Sequence, residues 1–221
     1  AFYDLPNTET EIMVGTSWSV KRQVWVPDYI YFPELDYPAH GDTRIAGNPS
    51  KYSLTNGFFD SKNNAQFTFA AGDYRFSKLE LDNNVTINIT GTTRIYIEQS
   101  LKLDNNSRLI VPQGADLVIY LGSGCTTQFH NNSILDNQTG IPSHVRLYSA
   151  SDQGISIYNN SMAINMLIYA PNALVLLQQN AQFFGDIVAN QLKLLQNGEV
   201  HYDNALANGN GPGDDPAAGL G

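Results

Sequence analysis

The chain has 221 residues, of which 42% are hydrophobic and 15% charged, so it is long enough to form one sizeable core. Aspartate and glutamate outnumber lysine and arginine by 21 to 12, and the resulting net charge of −9 would repel a phosphate backbone. Composition therefore argues against nucleic acid as a partner. No apolar run approaches the roughly 18 residues that span a bilayer, so we expect membrane attachment only through a segment outside this chain.

Residues 1–57 are rich in aromatic side chains and contain the run VWVPDYIYFPELDYP at positions 24–38. The end of a repetitive β-structure must be covered, so we predict that this section forms a cap and the earliest coils. Its aromatic residues could bind sugar rings or dock another subunit, although the alternating pattern is also typical of an edge strand that buries one side. The candidate docking aromatics are Trp18, Trp25, Tyr29, Tyr31, Phe32 and Tyr37.

A short phrase recurs along the rest of the chain, in the forms LELDNN, LKLDNN, TQFHNN, ISIYNN, VLLQQN and LKLLQN. Successive copies are separated by 22, 26, 28, 20 and 17 residues, which is about one coil of a solenoid. The last asparagines of the copies are Asn84, Asn106, Asn132, Asn160, Asn180 and Asn197.

Positions before and after each of these asparagines alternate between apolar and polar with period two, as a β-strand requires. The position three residues before is always apolar, whereas the position four before is mostly polar. We therefore predict an all-β, right-handed parallel β-helix of about seven coils with an N-terminal aromatic-rich cap. The predicted inward row is Leu81, Leu103, Phe129, Ile157, Leu177 and Leu194.

The recurring asparagines have a structural interpretation as a ladder at a sharp corner. Asparagine tolerates the left-handed backbone conformation, and stacked amides can hydrogen-bond from coil to coil. The alternative is N-glycosylation, because Asn84, Asn88, Asn105, Asn131, Asn137 and Asn159 each begin an N-x-[ST] sequence.

One outward row could carry chemistry, at two residues before the corner asparagine: Asp82, Asp104, His130 and Tyr158. Carboxylates on adjacent coils would lie near the roughly 5 Å separation that retaining glycosidases use, and His130 could assist proton transfer. The simpler interpretation is that these are ordinary residues before a turn.

Further strands are predicted at 86–91, 94–99, 117–124, 145–151 and 166–173, separated by glycine, proline and asparagine turns. We divide the chain into a cap with early coils (1–57), the parallel β-helix (58–206) and a Gly/Pro/Asp-rich tail (207–221). The lone Cys125 is expected to pack in the core. No metal, nucleotide or flavin motif occurs, so we expect no cofactor, no metal and no catalytic residue.

The stretch MLIYAPNALVLLQQNAQFFGDIVANQLKLLQNGEVHYDNAL, at positions 166–206, carries a family resemblance. It resembles the closing coils of the β-helical domains in bacterial type IV pilus assembly proteins of the PilX kind and related large minor pilins. In those domains the phrases IYAPNA, FFGDIVA and HYD occur in the same order. The resemblance extends more weakly back to about residue 65, and it implies a pilus-associated or surface protein without implying a reaction.

The sequence as a whole predicts an extracellular or cell-surface component of a type IV pilus or related bacterial filament, with a structural or adhesive role. Expected partners are other filament subunits, including copies of itself, and surface glycans. The alternative is a carbohydrate-binding or carbohydrate-active β-helix, because β-helices also host polysaccharide lyases and hydrolases, and fold alone does not determine function.

Overall fold

The computed structural model describes residues 9–14, 17–23 and 34–202, and its side-chain description begins at residue 34. Within these residues the chain is a parallel β-solenoid of about seven turns, which confirms the predicted fold class. A separate antiparallel hairpin is formed by β1 (Glu9–Val14) and β2 (Ser17–Gln23).

Each coil contributes strands to three faces, which we name from their position relative to the corner asparagine. The approach face leads into the corner, the exit face leaves it, and the third face closes the coil. The strands of the solenoid are β3 (Ile45–Gly47), β4 (Tyr52–Thr55), β5 (Phe58–Ser61), β6 (Gln66–Phe69), β7 (Gly72–Leu81), β8 (Thr86–Ile89), β9 (Thr92–Leu103), β10 (Arg108–Val111), β11 (Asp116–Leu121), β12 (Thr126–Phe129), β13 (Ile134–Asn137), β14 (Val145–Ser149), β15 (Ile155–Tyr158), β16 (Met162–Gln178), β17 (Gln182–Leu195) and β18 (Glu199–Tyr202). Strands β7, β9, β16 and β17 are long because each bends around at least one edge of the solenoid and pairs on two or three faces.

The parallel register stacks the predicted inward row coil upon coil. Leu81 pairs with Leu103, which pairs with Phe129, and the column continues to Leu194. The members from Leu81 to Leu177 are buried at 1% exposure or less, so period-two alternation correctly assigned their direction. Leu194 is the exception with 47% exposure, because no further coil covers it among the described residues.

The asparagine corners form a continuous amide ladder with one member more than the sequence repeat indicated. Asn64 precedes Asn84 in the column, and each later amide donates from Nδ2 to the Oδ1 of the asparagine one coil below, at 3.0 to 3.3 Å. All seven corner residues have φ between 50° and 65°, within the left-handed region that asparagine tolerates better than most side chains: Asn64, Asn84, Asn106, Asn132, Asn160, Asn180 and Asn197.

A second column of amides runs beside the first, through the residue that precedes each corner. Asn83 donates to Asn63 at 2.9 Å, and Asn159 donates to Asn131 at 2.8 Å, with equivalent bonds between them. The backbone is bonded in the same way. From Asn64 to Asn180, the N–H of each corner residue donates to the carbonyl of the residue that precedes the corner of the next coil, at 2.8 to 3.0 Å.

These bonds explain most of the N-x-[ST] sequences without a sugar. The amides of Asn84, Asn105, Asn131 and Asn159 all donate within the ladders. That of Asn137 is buried and donates to two backbone carbonyls. The amide nitrogen that glycosylation would modify is therefore already engaged at these five positions.

The N-terminal end of the solenoid is closed by antiparallel strands. β3 pairs antiparallel with β6 on the exit face, and β4 pairs antiparallel with β5 on the approach face. The ring of Tyr52 stacks on Phe59 with centroids 5.1 Å apart, and His40 stacks on Tyr52 at 5.3 Å. Arg44 closes the third face, because its Nη1 donates to the Asp73 carbonyl at 2.8 Å while Asp42 holds its guanidinium.

The inward row yields a direct test of register. Replacing Leu103 with Ala should lower the free energy of unfolding by about 2 to 5 kcal/mol, because it removes buried contacts and leaves a cavity. Lys102→Ala, one residue away but facing outward, should cost less than about 1 kcal/mol, even though Lys102 pairs with Asp104. Denaturant unfolding of both variants measures the difference, and equal losses would show that the assigned register is wrong.

Candidate functional site

The described chain has two candidate binding surfaces: the polar row on the approach face, and the last coil at the C-terminal end. The polar row contains Asp82, Asp104, His130 and Tyr158. The first three directly follow β7, β9 and β12, and Tyr158 is the last residue of β15. Each of these side chains points outward, because the residue directly before it in the sequence belongs to the buried inward row. The register stacks the four coils in this order, so the predicted row is one continuous strip.

Asp104 is held as an ionised carboxylate. Its Oδ2 lies 2.8 Å from Lys102 Nζ, and its Oδ1 accepts the Asn105 N–H at 3.1 Å. Burial alone would raise the pKa of Asp104, but the hydrogen bonds from Lys102 and from the Asn105 backbone outweigh it and lower that pKa below its usual value. A glycosidase general acid needs a raised pKa instead. Asp104 therefore suits charge pairing and turn formation better than proton donation.

Asp60 lies on the same face as Asp82, and its carboxyl has the opposite perturbation. Burial raises the pKa of Asp60, and repulsion from Asp82 and Glu80 adds to the rise. Lys62 partly offsets this effect. The first coils of the approach face therefore carry several acidic side chains, and Lys102, which also attracts Glu80 and Asp82, pairs with Asp104.

His130 and Tyr158 form a tight polar and aromatic pair on the next two coils. Their ring centroids are 4.1 Å apart, and the Tyr158 hydroxyl lies 2.5 Å from His130 Nε2. Burial lowers the pKa of His130 despite attraction from Asp104, and burial also raises the pKa of Tyr158. Near neutral pH the hydroxyl is therefore protonated and shares a hydrogen bond with an uncharged imidazole. The pair offers one ring face and several polar atoms, but not an activated base next to a carboxylate pair.

No group of three or more histidine, cysteine, aspartate or glutamate side chains is placed to hold a metal ion in the part of the chain that the structure describes. Cys125 is fully buried, and burial raises the pKa of its thiol to about 12. A thiol in that environment stays protonated, which agrees with the packing role expected from the sequence.

Most of the predicted docking aromatics fall outside the described side chains. Trp25, Tyr29, Tyr31 and Phe32 lie outside the described residues, and only the strand backbone of Trp18 is described. Tyr37 is 39% exposed. Its hydroxyl donates to Glu98 at 2.5 Å, and the Arg75 guanidinium lies 5.0 Å above its ring and also pairs with Glu98. Tyr37 is thus tied to the third face.

A column of tyrosines on the third face was missed in the sequence. Tyr96 and Tyr120 stack with centroids 4.7 Å apart, and the column continues to Tyr148 at 5.6 Å and Tyr169 at 6.4 Å. All four belong to an outward row, yet Tyr96 and Tyr169 are each only 6% exposed. The signal was available in the phrases RIYI, VIYL, RLYS and LIYA, each of which places a tyrosine at the same point of its strand.

The last coil presents apolar residues that other coils bury. Leu192 and Leu194 continue the inward columns of the approach face but are 45% and 47% exposed. Tyr202 continues an inward column of the exit face and is 55% exposed, and Leu195 is 48% exposed. On the approach and exit faces, the outer edges of β17 and β18 carry no further strand among the described residues. Unlike the N-terminal end, this end carries no described strand over those two faces, and we call it the open end.

His130 should make stability depend on pH. In the folded chain its pKa is lowered, so the unfolded chain binds the proton first as the pH falls. The stability present above the ordinary histidine pKa is therefore lost as the pH drops from about 7 toward 5. We expect His130→Gln to flatten the fall in melting temperature over this range, whereas His144→Gln, a histidine on a different loop, should retain it. Parallel curves for the parent and His130→Gln would contradict this assignment.

No helix among the described residues is long and apolar enough to cross a bilayer.

Comparison with known proteins identifies a family but not an activity. A family model described as "Domain of unknown function (DUF7305)" matches residues 40–209, which include every coil described above. No curated protein matches the chain, and no solved structure does. Since the match covers more than half of the sequence, the chain belongs to the DUF7305 family.

Proposed function

We propose that this chain is an extracellular structural or adhesive component of a bacterial surface filament, such as a type IV pilus. In this role it docks a neighbouring subunit through the open C-terminal end of its solenoid. The observation that carries the proposal is the exposure of Leu192, Leu194 and Tyr202, whose columns are buried in the coils below. An uncovered solenoid end combines apolar surface with unpaired backbone groups, and proteins normally cover such an end or use it for binding.

The contrast between the two ends of the solenoid supports docking at one of them. The N-terminal end is covered by β3 and β4, which pair antiparallel to the coils and interrupt the parallel stack. The C-terminal end has no such cover on its approach and exit faces among the described residues. The resemblance of residues 166–206 to the closing coils of pilus assembly proteins lies at this same end, so both lines of support concern the same surface.

The remaining surface also suits a structural part. Several of its outward residues pair with one another, as in the Arg94–Asp73 pair at 2.6 Å and the Lys102–Asp104 pair at 2.8 Å. Long sides of this kind give a rod extended contact area.

Leu194→Glu tests the proposal in cells that produce the protein. A carboxylate placed in the contact would have to be buried unpaired, so the variant should disappear from the sheared surface-filament fraction while remaining folded. Arg108→Glu is the matched control, because it adds an acidic side chain at an exposed, outward position of β10, several coils away from the open end. Immunoblots of the sheared fraction, with circular dichroism of the purified variants, measure both effects.

Normal amounts of Leu194→Glu in the filament fraction would contradict the proposal, as would absence of the parent chain from that fraction. A second candidate, glycan recognition on the approach face, is favoured by the half-buried rings and polar atoms of the His130–Tyr158 pair. A polysaccharide panel tests it with the same proteins. Binding or cleavage that is lost in Tyr158→Ala but retained in Leu194→Glu would make glycan recognition the better account.

A further inference from the structure

The open end has an internal symmetry about its corner. Asn197 separates two described strand edges, residues 191–195 on the approach face and 199–202 on the exit face. The inward residues lie three and five positions from Asn197 on both sides: Leu194 and Val200 at three, Leu192 and Tyr202 at five. The outward residues lie two and four positions away on both sides. A 180° rotation about an axis through the corner would therefore place the inward rows of one copy on the inward rows of a second copy.

We propose that the partner at this end is a second copy of the same chain, related by a two-fold axis through the Asn197 corner. The inference rests on the proposed function, since it names the occupant of the docking surface inferred there. In this arrangement residues 191–195 of one copy pair antiparallel with residues 199–202 of the other. Leu194 then lies against the partner's Val200, and Leu192 against the partner's Tyr202.

Two-fold pairing matches the chemistry of both edges. An approach-face strand runs toward the corner, and an exit-face strand runs away from it. The two-fold rotation therefore places the approach-face strand of one copy antiparallel to the exit-face strand of the other, so that their edges can pair. Each apolar pair occurs twice, and together they cover the exposed inward residues of both copies. On the outward side Lys193 lies opposite the partner's His201 and diagonally beside the partner's Glu199, an acidic neighbour within reach across antiparallel strands.

The opposite end of the solenoid argues against head-to-tail stacking. To continue the parallel coils, β17 and β18 of one copy would have to pair with β5 and β6 of the next. Those edges are already occupied by β4 and β3. The contact available to the open end is therefore an isologous one, which closes at two copies. The product is a double-length rod with a closed cap at each extremity.

Cysteine pairing between separately made variants tests the register. A tagged Leu194→Cys chain mixed with an untagged Val200→Cys chain should form a disulfide-linked heterodimer on mild oxidation, because antiparallel partners bring Cα atoms within bonding range. The control is tagged Lys193→Cys mixed with the same Val200→Cys chain, which should cross-link at least about tenfold less because the two side chains face opposite sides of the sheet. The parent should not cross-link, since its Cys125 is buried.

Light scattering of the full chain supplies the second readout. We expect the mass of two chains, with dimerisation weakened by at least about tenfold in Leu194→Glu. A mass that grows beyond two copies would overturn the proposal in favour of open stacking. A monomer that dimerises only after deletion of residues 203–221 would assign the end to the chain's own tail, and a monomer in both forms would also overturn it. In these cases recovery of the parent from the filament fraction would leave the proposed function standing with a different partner.

Discussion

The left-handed backbone turn at each asparagine corner is the constraint on which the rest of this solenoid depends. The chain must reverse sharply between the approach and exit faces, and asparagine can adopt the required φ at modest cost while its amide bonds to the coils above and below. The corners also set the phase of every coil. Once they are stacked, the residues three and five positions before them must stack as well, and these form the apolar core.

Fixing the phase at one corner lets coil length vary elsewhere. Successive corners are separated by 17 to 28 residues, yet the amide bonds between them keep nearly the same length. The longest coil takes up its extra residues between β13 and β14, where a short 3-10 turn, Pro142–His144, bridges the gap. In the shorter late coils, the single strands β16 and β17 continue from one face to the next without a loop. Their pairing shifts register at Ala163/Met166 and at Ala170/Leu174. Variation is thus confined to the side of the coil away from the ladder.

The local pattern was sufficient to predict the coils, because burial selects apolar residues and the left-handed corner selects asparagine. The first corner was missed because its apolar signal is weak. Ser61 occupies the inward position before Asn64, and its hydroxyl bonds to the Glu80 carbonyl and the Asp82 N–H instead of packing as a leucine would. Leu194 takes its predicted inward position but is exposed, because alternation gives the direction of a side chain and not whether another coil lies above it. Both differences fall at the ends of the solenoid.

Outward rows carry much less information, since an exposed position accepts many residues. The sequence aligned Asp82, Asp104, His130 and Tyr158, and the structure does bring them into one strip. The sequence alone could not show that Lys102 holds the Asp104 carboxylate ionised, or that Tyr158 bonds to His130. The tyrosine column escaped notice because Tyr96, Tyr120, Tyr148 and Tyr169 recur at unequal intervals, set by the variable side of each coil.

The most direct test of the corner as the organising element compares two replacements of Asn132 by unfolding free energy. Gly keeps the left-handed turn but removes the two ladder bonds, so Asn132→Gly should cost about 1 to 2 kcal/mol. Ala also loses these bonds and is strained at this φ of 63°. Asn132→Ala should therefore lower the free energy of unfolding by about 1 to 2 kcal/mol more than Asn132→Gly does. If Asn132→Ala is as stable as the parent, the corners do not set the register and the account is wrong.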